Sequence, residues 1–348
     1  MNVSEFDFDL PPRLIAQAPS SVRGTSRLLV LRRASGEIEH AEVTRLPEFL
    51  RAGDLLVVND SKVFPARLLG TRVPSGGTVE CLLLARLEGD RWDALVHPGQ
   101  KLQPGACMVF RGEQDALHAE VLDRHFHGRR TIRLWTESRA PVDDVIDAIG
   151  HVPLPPYIKR QDNPADRDRY QTVYAQARGS VAAPTAGLHF TPEILNALDR
   201  RGVERTAVTL HVGYGTFQPV RVSQVEAHTL DPERFSIGEA AAAAINRAVR
   251  EGRRILSVGT TTTRTLEETA RAGRGFIAPQ SGSTRLFVYP GFEFRLVTGL
   301  MTNFHLPQSS LLMLVSAFGG RDKVLTAYRE AVRREYRFYS YGDAMLIL

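Results

Sequence analysis

The first third of the chain alternates short apolar runs with turns, a pattern typical of β-strands. Phe6, Phe8 and Leu10 recur at every second position ahead of two prolines, and apolar runs follow at 28–31 and 55–58. We predict short strands in all three places. Beyond them, glycine-bearing turns separate further short runs, which lie at 79–87, 92–96, 107–110, 117–122 and 131–134. Strands spaced this evenly, with little helical periodicity, predict a small antiparallel barrel.

After a proline-rich stretch at 151–157 the pattern changes to alternating helices and strands. Helical periodicity and terminal glycines predict helices over 192–201, 239–251 and 264–272, and a last amphipathic helix over 324–335. Apolar runs predict strands at 207–212 and 253–258. In the third helix, Thr265 and Glu268 stand at the spacing of a capping box. This alternation predicts a layered α/β domain, with a domain boundary at the proline-rich stretch.

Composition fits a globular chain. The 348 residues leave room for about two domains. Hydrophobic residues make up 43% and charged residues 24%, which excludes disordered, collagen-like and coiled-coil classes. No apolar run approaches the ~18 residues of a membrane-spanning helix, and the acidic start (Glu5, Asp7, Asp9) is unlike an export signal. We therefore expect a cytoplasmic protein with no membrane partner.

The cysteines and the net charge say little about the function of the chain. Cys81 and Cys107 stand among apolar neighbours without a CxxC spacing, so we interpret both as small core residues. Lys and Arg number 44 against 39 Asp and Glu, a net charge of +5. That balance permits a nucleic-acid partner without indicating one.

Four segments rich in histidine, threonine and glycine lie at predicted strand ends or strand-to-helix turns. They are 183–190, 210–219, 258–264 and 302–307. In open α/β sheets, ligands bind outside the carboxyl ends of strands, and His189, His211 and His305 titrate near neutral pH. Each histidine taken alone is better explained as a structural residue with satisfied hydrogen bonds, so the signal depends on all three lying in one pocket. Their spacing fits no helical metal-binding motif, so we predict no metal site.

Two of these segments suggest how a ligand is held. The threonine run after Gly259 offers hydroxyls and backbone N–H groups to an anionic ligand at a helix N-terminus, with simple helix capping as the alternative. Gly213-Tyr214-Gly215 begins like a dinucleotide-binding loop, but position 218 is Gln where that fingerprint needs Gly. A classical dinucleotide fold is therefore disfavoured.

A basic, tyrosine-containing stretch follows the predicted domain boundary. It contains Lys159, Arg160, Arg167, Arg169 and Tyr170. Such a stretch can bind phosphates and stack unpaired bases, while a solvated loop is the alternative.

Ordered sequence blocks along the chain carry a family resemblance. They include FDFDLP at 6–11, SRLL at 26–29, GDLLVVND at 53–60, PARL at 65–68, GHVPLPPYI at 150–158, YQTVYA at 170–175, and the segments 181–190, 208–220, 258–261, 302–307 and 337–345. Through these blocks the chain resembles, from end to end, the S-adenosylmethionine:tRNA ribosyltransferase-isomerase family of queuosine biosynthesis.

The resemblance implies both a fold and a reaction. The fold is a mixed-sheet layered α/β catalytic domain, here 1–66 and 156–348, with a small antiparallel β-barrel inserted at 67–155. The reaction moves the ribosyl moiety of S-adenosylmethionine onto 7-aminomethyl-7-deazaguanine (preQ1) at the wobble position of tRNA. Its products are epoxyqueuosine-tRNA, adenine and methionine. S-adenosylmethionine is then a consumed substrate, and the family implies no other cofactor and no metal.

The resemblance also implies site residues. His189, His211 and His305 are the leading acid/base candidates, without a choice among them. The implied substrate-binding residues are Thr185, Gly187, Gly213, Gln218, Gly259, Thr260, Thr261, Arg264 and Asn303. Arg264 and the backbone N–H groups after Gly259 are candidates for binding the carboxylate in the methionine part of S-adenosylmethionine. The tRNA-binding residues are those of the basic stretch, Lys159, Arg160, Arg167, Arg169 and Tyr170.

The chain departs from the family pattern at one notable place. Where relatives usually have His-x-Met-His-x-Glu, this sequence reads HTLDPE at 228–233, with Asp231 in place of the second histidine. An obligatory base at that position is therefore not expected, while His228 and Glu233 remain candidate ligand contacts.

Two other functions stay open from the sequence. An ordinary S-adenosylmethionine-dependent RNA methyltransferase would need a glycine-rich loop after the first strand, which is not found. A tRNA-binding module without catalysis would leave the polar motifs at the strand ends unexplained.

Overall fold

The structure, a computed structural model, describes residues 1–138, 140–217 and 219–348, without the side chains of residues 127, 216 and 217. Its strands in chain order are β1 (Arg27–Leu31), β2 (Ile38–Glu42), β3 (Leu55–Asn59), β4 (Ser61–Val63), β5 (Arg67–Val73), β6 (Thr78–Arg86), β7 (Arg91–His97), β8 (Cys107–Arg111), β9 (Ala116–Arg124), β10 (Arg129–Thr136), β11 (Ala177–Ser180), β12 (Glu204–Leu210), β13 (Glu233–Ile237), β14 (Ile255–Val258), β15 (Gln280–Thr284), β16 (Gly299–Asn303) and β17 (Ala344–Ile347). Its α-helices are α1 (Leu46–Phe49), α2 (Val142–Ile149), α3 (Asp166–Arg169), α4 (Pro192–Arg200), α5 (Glu239–Arg250), α6 (Thr260–Ala272), α7 (Ser310–Gly319) and α8 (Arg321–Arg333).

A mixed nine-stranded sheet organises the larger part of the fold, in the order β15-β13-β12-β3-β14-β16-β17-β1-β2. The four consecutive strands β12, β3, β14 and β16 are mutually parallel, so their carboxyl ends lie along one edge. β17 runs antiparallel to β16 and brings the chain that precedes it to the same edge. The predicted layered α/β architecture is confirmed.

Helices cover both faces of this sheet. They are needed because successive side chains of β3 point to opposite faces and are apolar on both. On β3, Leu55 and Val57 pack into the core beneath α5 to α8, which also holds Ile245 and Tyr328. Leu56 and Val58 pack on the opposite face with residues of α1 and α4. β3 is consequently buried along its whole length.

The predicted barrel is also confirmed. Strands β5 to β10 close in the order β10-β7-β6-β5-β8-β9, and every neighbouring pair is antiparallel. Val79, Cys81 and Leu83 alternate inward on β6, and α2 packs Val145 and Ile146 against the same core. Cys81 is thus a core residue, and burial raises the pKa of its thiol to about 12.

Two local predictions are wrong. Residues 6–10 form no strand. Instead, a 3₁₀ turn spans Val3–Phe6, and the Glu5 carboxylate caps it by accepting a hydrogen bond from the backbone N–H of Asn2 at 2.8 Å. The third predicted helix begins at Thr260 rather than at residue 264, and Thr265 donates from inside it to the Thr261 carbonyl at 3.1 Å. Thr265 is therefore not a cap.

Among the described residues, none of the helices has both the length and the apolar character needed to cross a bilayer.

Candidate active site

The parallel strands bring three of the four polar segments to one edge of the sheet. His211 follows the end of β12, Gly259 follows β14, and Asn303 is the last residue of β16. The fourth segment, which contains His189, forms a 3₁₀ turn at Thr185–His189 that packs against β16. The topology thus explains why residues far apart in sequence lie together.

A small pocket of about 40 Å³ lies at this meeting point. Predicted substrate-binding residues from three segments line it, together with one predicted catalytic residue; they are Thr185, Gly259, Thr260, Thr261, Asn303 and His305. Ser340 and Tyr339, which precede β17, complete the wall. The sequence segments therefore converge as predicted, although His211 is not part of this pocket.

A larger cleft of about 1330 Å³ lies between the sheet edge and the barrel. His211, Gly213 and Arg264 line its α/β side, and barrel residues including Asp93 and Arg129 line the other. The small pocket adjoins the cleft because Val212 and Leu311 line both. Of the two cavities, the cleft is the one large enough for a nucleoside-sized ligand, and the small pocket forms a recess beside it.

Two of the three candidate histidines are fully buried. His305 Nε2 lies 2.9 Å from Thr302 Oγ1, and burial lowers the pKa of its imidazole to about 3. Asn303 Nδ2 lies 3.1 Å from His189 Nε2, and burial lowers the pKa of His189 to about 4. Both rings are neutral at physiological pH. His189 lines neither cavity and stands behind Asn303.

His211 is placed differently, because its ring is half-buried and lines the large cleft. Burial, followed by the charge of Arg234, lowers its pKa. The ring lies against Gly179, where a Cβ would come within 3.0 Å of Cε1. Gly179 has φ of +137°, so glycine is favoured there for the backbone as well as for the space. The sequence motifs gave no signal for this glycine.

The start of α6 forms one wall of the small pocket. Gly259 adopts φ of +90° at the N-cap, which lets the chain turn directly from β14 into the helix. Thr262 and Thr263 point their hydroxyls back onto the carbonyls of Val258 and Gly259, at 2.7 and 3.1 Å. The backbone N–H groups of the first turn of α6 point along the helix axis towards the small pocket. This geometry favours the binding of an anion.

Arg264, one turn further along α6, is part of a buried polar network. Its guanidinium pairs with the carboxylate of Glu233, and both side chains are almost entirely buried. Glu233 also accepts a hydrogen bond from the Gly213 amide at 3.1 Å. Glu233 thereby connects the helix to the loop that follows His211.

Three of the predicted catalytic and substrate-binding residues carry buried polar atoms that have no hydrogen-bond partner within the described residues. These atoms are His211 Nδ1, Arg264 Nε and Asn303 Oδ1. Buried polar groups in proteins are nearly always paired. These three residues line the cleft or the small pocket, although buried unpaired atoms also occur away from both, as in Arg72 and Ser316.

The remaining substrate-binding predictions lie elsewhere. Gly187 is buried beside Tyr174 and Thr172, where a Cβ would approach the Tyr174 hydroxyl to 2.2 Å, and it lines neither cavity. It permits close packing of the 3₁₀ turn. Gln218 lies outside the described residues.

The arginines of the basic stretch bind other parts of the chain. Arg160 pairs with the buried carboxylate of Asp166 at 2.6 and 2.7 Å. Arg167 donates to the Asp147 and Gly150 carbonyls, and Arg169 to those of Ser20 and Ser21.

The other two members of the stretch differ sharply in exposure. Tyr170 is 1% exposed and packs edge-on against Tyr341, whereas Lys159 is exposed. In this arrangement the Tyr170 ring has no open face for a base. The tRNA-binding role of these residues stays a prediction.

The segment that departs from the family pattern forms part of the cleft wall. Asp231 lines the cleft and lies beside Gly215, while His228 packs edge-on against Phe287, with ring centroids 5.1 Å apart. On the barrel side, Arg129 binds the Asp93 carboxylate at 2.8 and 2.9 Å. Sequence reasoning missed this barrel wall, because its charged residues stand within ordinary alternating strands.

Comparison with known proteins gives full-length matches. The model of a family described as queuosine biosynthesis protein matches residues 3–347. A Moorella thermoacetica protein named S-adenosylmethionine:tRNA ribosyltransferase-isomerase is 51% identical over 349 residues, with 100% of both chains covered. A Heliobacterium modesticaldum protein of the same name is 50% identical over 348 residues, again with 100% of both covered.

A solved structure agrees with these matches. The crystal structure of S-adenosylmethionine tRNA ribosyltransferase from Thermotoga maritima is 40% identical in sequence to this chain and superposes on it with a TM-score of 0.56. The match covers 99% of this chain and 100% of that one. The matched length includes both walls of the cleft.

Proposed function

The chain belongs to the queuosine biosynthesis protein family, and from this premise we propose that it is a transferase-isomerase acting on S-adenosylmethionine and tRNA. It transfers and isomerises the ribosyl moiety of S-adenosylmethionine onto preQ1 at the wobble position of tRNA. The products are epoxyqueuosine-tRNA, adenine and methionine. The observation that carries this proposal is the convergence of the polar segments at the sheet edge, on a recess that opens beside the cleft.

The chemistry needs a base near the sulfonium carbon. The positive sulfur acidifies the C5′ protons of the ribosyl group, a base removes one, and adenine departs. The tRNA amine then attacks in its neutral form, and methionine leaves as the epoxide closes. Among the three histidines we assign the base to His211, because it alone lines the large cleft and its ring is half-buried rather than buried.

His189 and His305 are better suited to holding the site than to moving protons. Burial lowers the pKa of both imidazoles far below neutral pH, and proton transfer is most efficient when the catalytic pKa lies near the working pH. His189 orients Asn303, which lines the recess and whose Oδ1 accepts no hydrogen bond from the described residues. An N–H group of the substrate would satisfy it.

The methionine carboxylate fits the N-terminal end of α6. Gly259, Thr260 and Thr261 line the recess there, and a helix N-terminus favours a carboxylate by both dipole and N–H groups. Arg264 remains the second candidate; its charge is already partly neutralised by Glu233, which makes it the weaker one. No other cofactor and no metal are part of the proposal, since S-adenosylmethionine itself is consumed.

Three further predictions complete the proposal. We expect the chain to divide into 1–66 plus 156–348 and an inserted 67–155, to bind tRNA through the cleft between these parts, and to act in the cytoplasm. The lysine and arginines of the basic stretch then guide the tRNA at the side of the cleft.

Product analysis tests this function. The protein is incubated with S-adenosylmethionine and a tRNA that carries preQ1, and the released small molecules are separated. Adenine together with methionine supports the proposal. S-adenosylhomocysteine would assign the chain to the methyltransferases, and binding without turnover would leave only the tRNA-binding module.

A further inference from the structure

Phe126 is an aromatic side chain that the described residues leave almost uncovered. It is 88% exposed, and it stands in the 3₁₀ turn Phe126–Gly128 between β9 and β10, on the barrel wall of the cleft. Another exposed phenylalanine, Phe276, is 47% exposed and lies outside the cleft. A single exposed ring is not by itself a binding surface, so its position at the rim of the cleft is what suggests a role in binding.

The turn that carries Phe126 is firmly supported from below. Arg130 is buried in the barrel, and its guanidinium donates to the carbonyls of Leu102, Arg129 and Gly99, the first two at 2.9 and 2.8 Å. The His125 amide donates to the Arg129 carbonyl at 2.9 Å and closes the hairpin. The ring is therefore presented by an ordered scaffold, which lowers the entropic cost of binding.

The surroundings of the ring are polar and basic rather than apolar. Asp123, Arg124 and His125 are exposed beside it, and Arg129 pairs with Asp93 on the same wall. On the opposite wall of the cleft Arg221 and Arg234 are exposed together with Asp231, so arginines outnumber acidic residues among the exposed charges there. An exposed aromatic ring beside a cleft that also presents exposed arginines matches the way proteins bind unpaired nucleotides, with stacking on the base and cations near the phosphates. It does not match an apolar protein interface, whose core is depleted of charge.

We propose that Phe126 is a stacking platform for an unpaired base of the tRNA anticodon loop, next to the base that enters the cleft. The proposal rests on the proposed function, because it takes tRNA as the substrate. A modified wobble base reaches the sheet edge only if it leaves the stack of the loop. A neighbouring base then loses a stacking partner, and Phe126 replaces it from the barrel side.

The test compares Phe126→Ala, Phe126→Trp and the matched control Phe276→Ala. An anticodon stem-loop RNA carrying preQ1 is titrated against each variant, and the KM for S-adenosylmethionine is measured at saturating RNA. Loss of one base stack weakens RNA binding by roughly 5-fold to 150-fold, so Phe126→Ala should raise the Kd within that range. Phe126→Trp should bind like wild type or more tightly, Phe276→Ala should bind like wild type, and the KM for S-adenosylmethionine should stay the same.

An unchanged RNA Kd in Phe126→Ala would overturn the proposal. So would a self-association of the wild-type protein that Phe126→Ala abolishes in sedimentation, because the ring would then face a second copy. Failure of the proposed function is distinguishable, since it would appear as an absence of adenine release by the wild-type protein. RNA binding by the variants is read independently of turnover.

Discussion

Replacing Glu233 with alanine tests whether the network behind the cleft holds Arg264 in place. In the folded chain the Glu233 carboxylate pairs with Arg264, and both side chains are about 5% exposed. The carboxylate also accepts from the Gly213 amide. The substitution leaves a guanidinium buried without its counter-charge and removes the partner of a backbone N–H group.

The expected cost follows from this burial. Removing one partner of a buried ion pair destabilises a protein by about 3–5 kcal/mol, whereas replacing both partners with apolar residues is often nearly neutral. Glu233→Ala should therefore lower the free energy of unfolding by about 3–5 kcal/mol. The double variant Glu233→Ala/Arg264→Met should recover most of that loss, which gives a strongly non-additive double-mutant cycle.

Urea denaturation followed by circular dichroism measures these free energies. Glu48→Ala is the control, because the Arg45–Glu48 pair is exposed at the surface and such pairs contribute little; its unfolding midpoint should match that of wild type. The reasoning would be refuted if Glu233→Ala were as stable as wild type, or if the double variant were as unstable as the sum of its single variants.

Three further predictions concern the histidines and the basic stretch. His211→Ala should lower kcat by about 10²-fold or more. Because burial and Arg234 lower the pKa of His211, wild-type kcat should be flat above pH ~6.5 and fall only below that pH. The His211→Ala variant should not show this fall. Burial lowers the pKa of His305 to about 3, so the unfolded chain takes up a proton there below pH ~6.5 while the folded chain does not. The stability that the neutral His305 allows is fully present above pH ~6.5 and is lost as the pH falls towards 3. Urea unfolding midpoints should therefore decline over that pH window, and less steeply in His305→Asn than in wild type. Equal slopes in the two proteins would contradict the prediction. Arg167→Glu or Arg169→Glu should raise the KM for tRNA and leave that for S-adenosylmethionine unchanged; equal increases in both would assign these arginines to holding their loops.

The sequence predicts the convergence of the site because it depends on a general property of parallel strands. His211, Gly259 and Asn303 each stand at a strand end, and parallel strands place such ends at one edge. Strand order is not encoded in local periodicity, however. The separation of His211 from His305 into two adjoining cavities therefore becomes visible only in the fold.

Local errors have local causes. Threonine is β-branched and a weak helix former, so the run 260–263 resembles a turn. Burial reverses this preference, because the hydroxyls of Thr262 and Thr263 are satisfied within the helix. Tyr170 illustrates the converse case. A tyrosine among arginines suggests a base-stacking surface, but its ring instead fills a small core beside Tyr341.

The fate of a doubly labelled S-adenosylmethionine tests the central claim most directly. The substrate carries one isotope in its ribosyl carbons and another in its methyl group, and the preQ1-containing tRNA is recovered after a single turnover and digested to nucleosides. Ribosyl transfer places only the ribosyl label in the modified wobble nucleoside, and the methyl label leaves with methionine. Methyl label in the tRNA, or no label at all, would contradict the account.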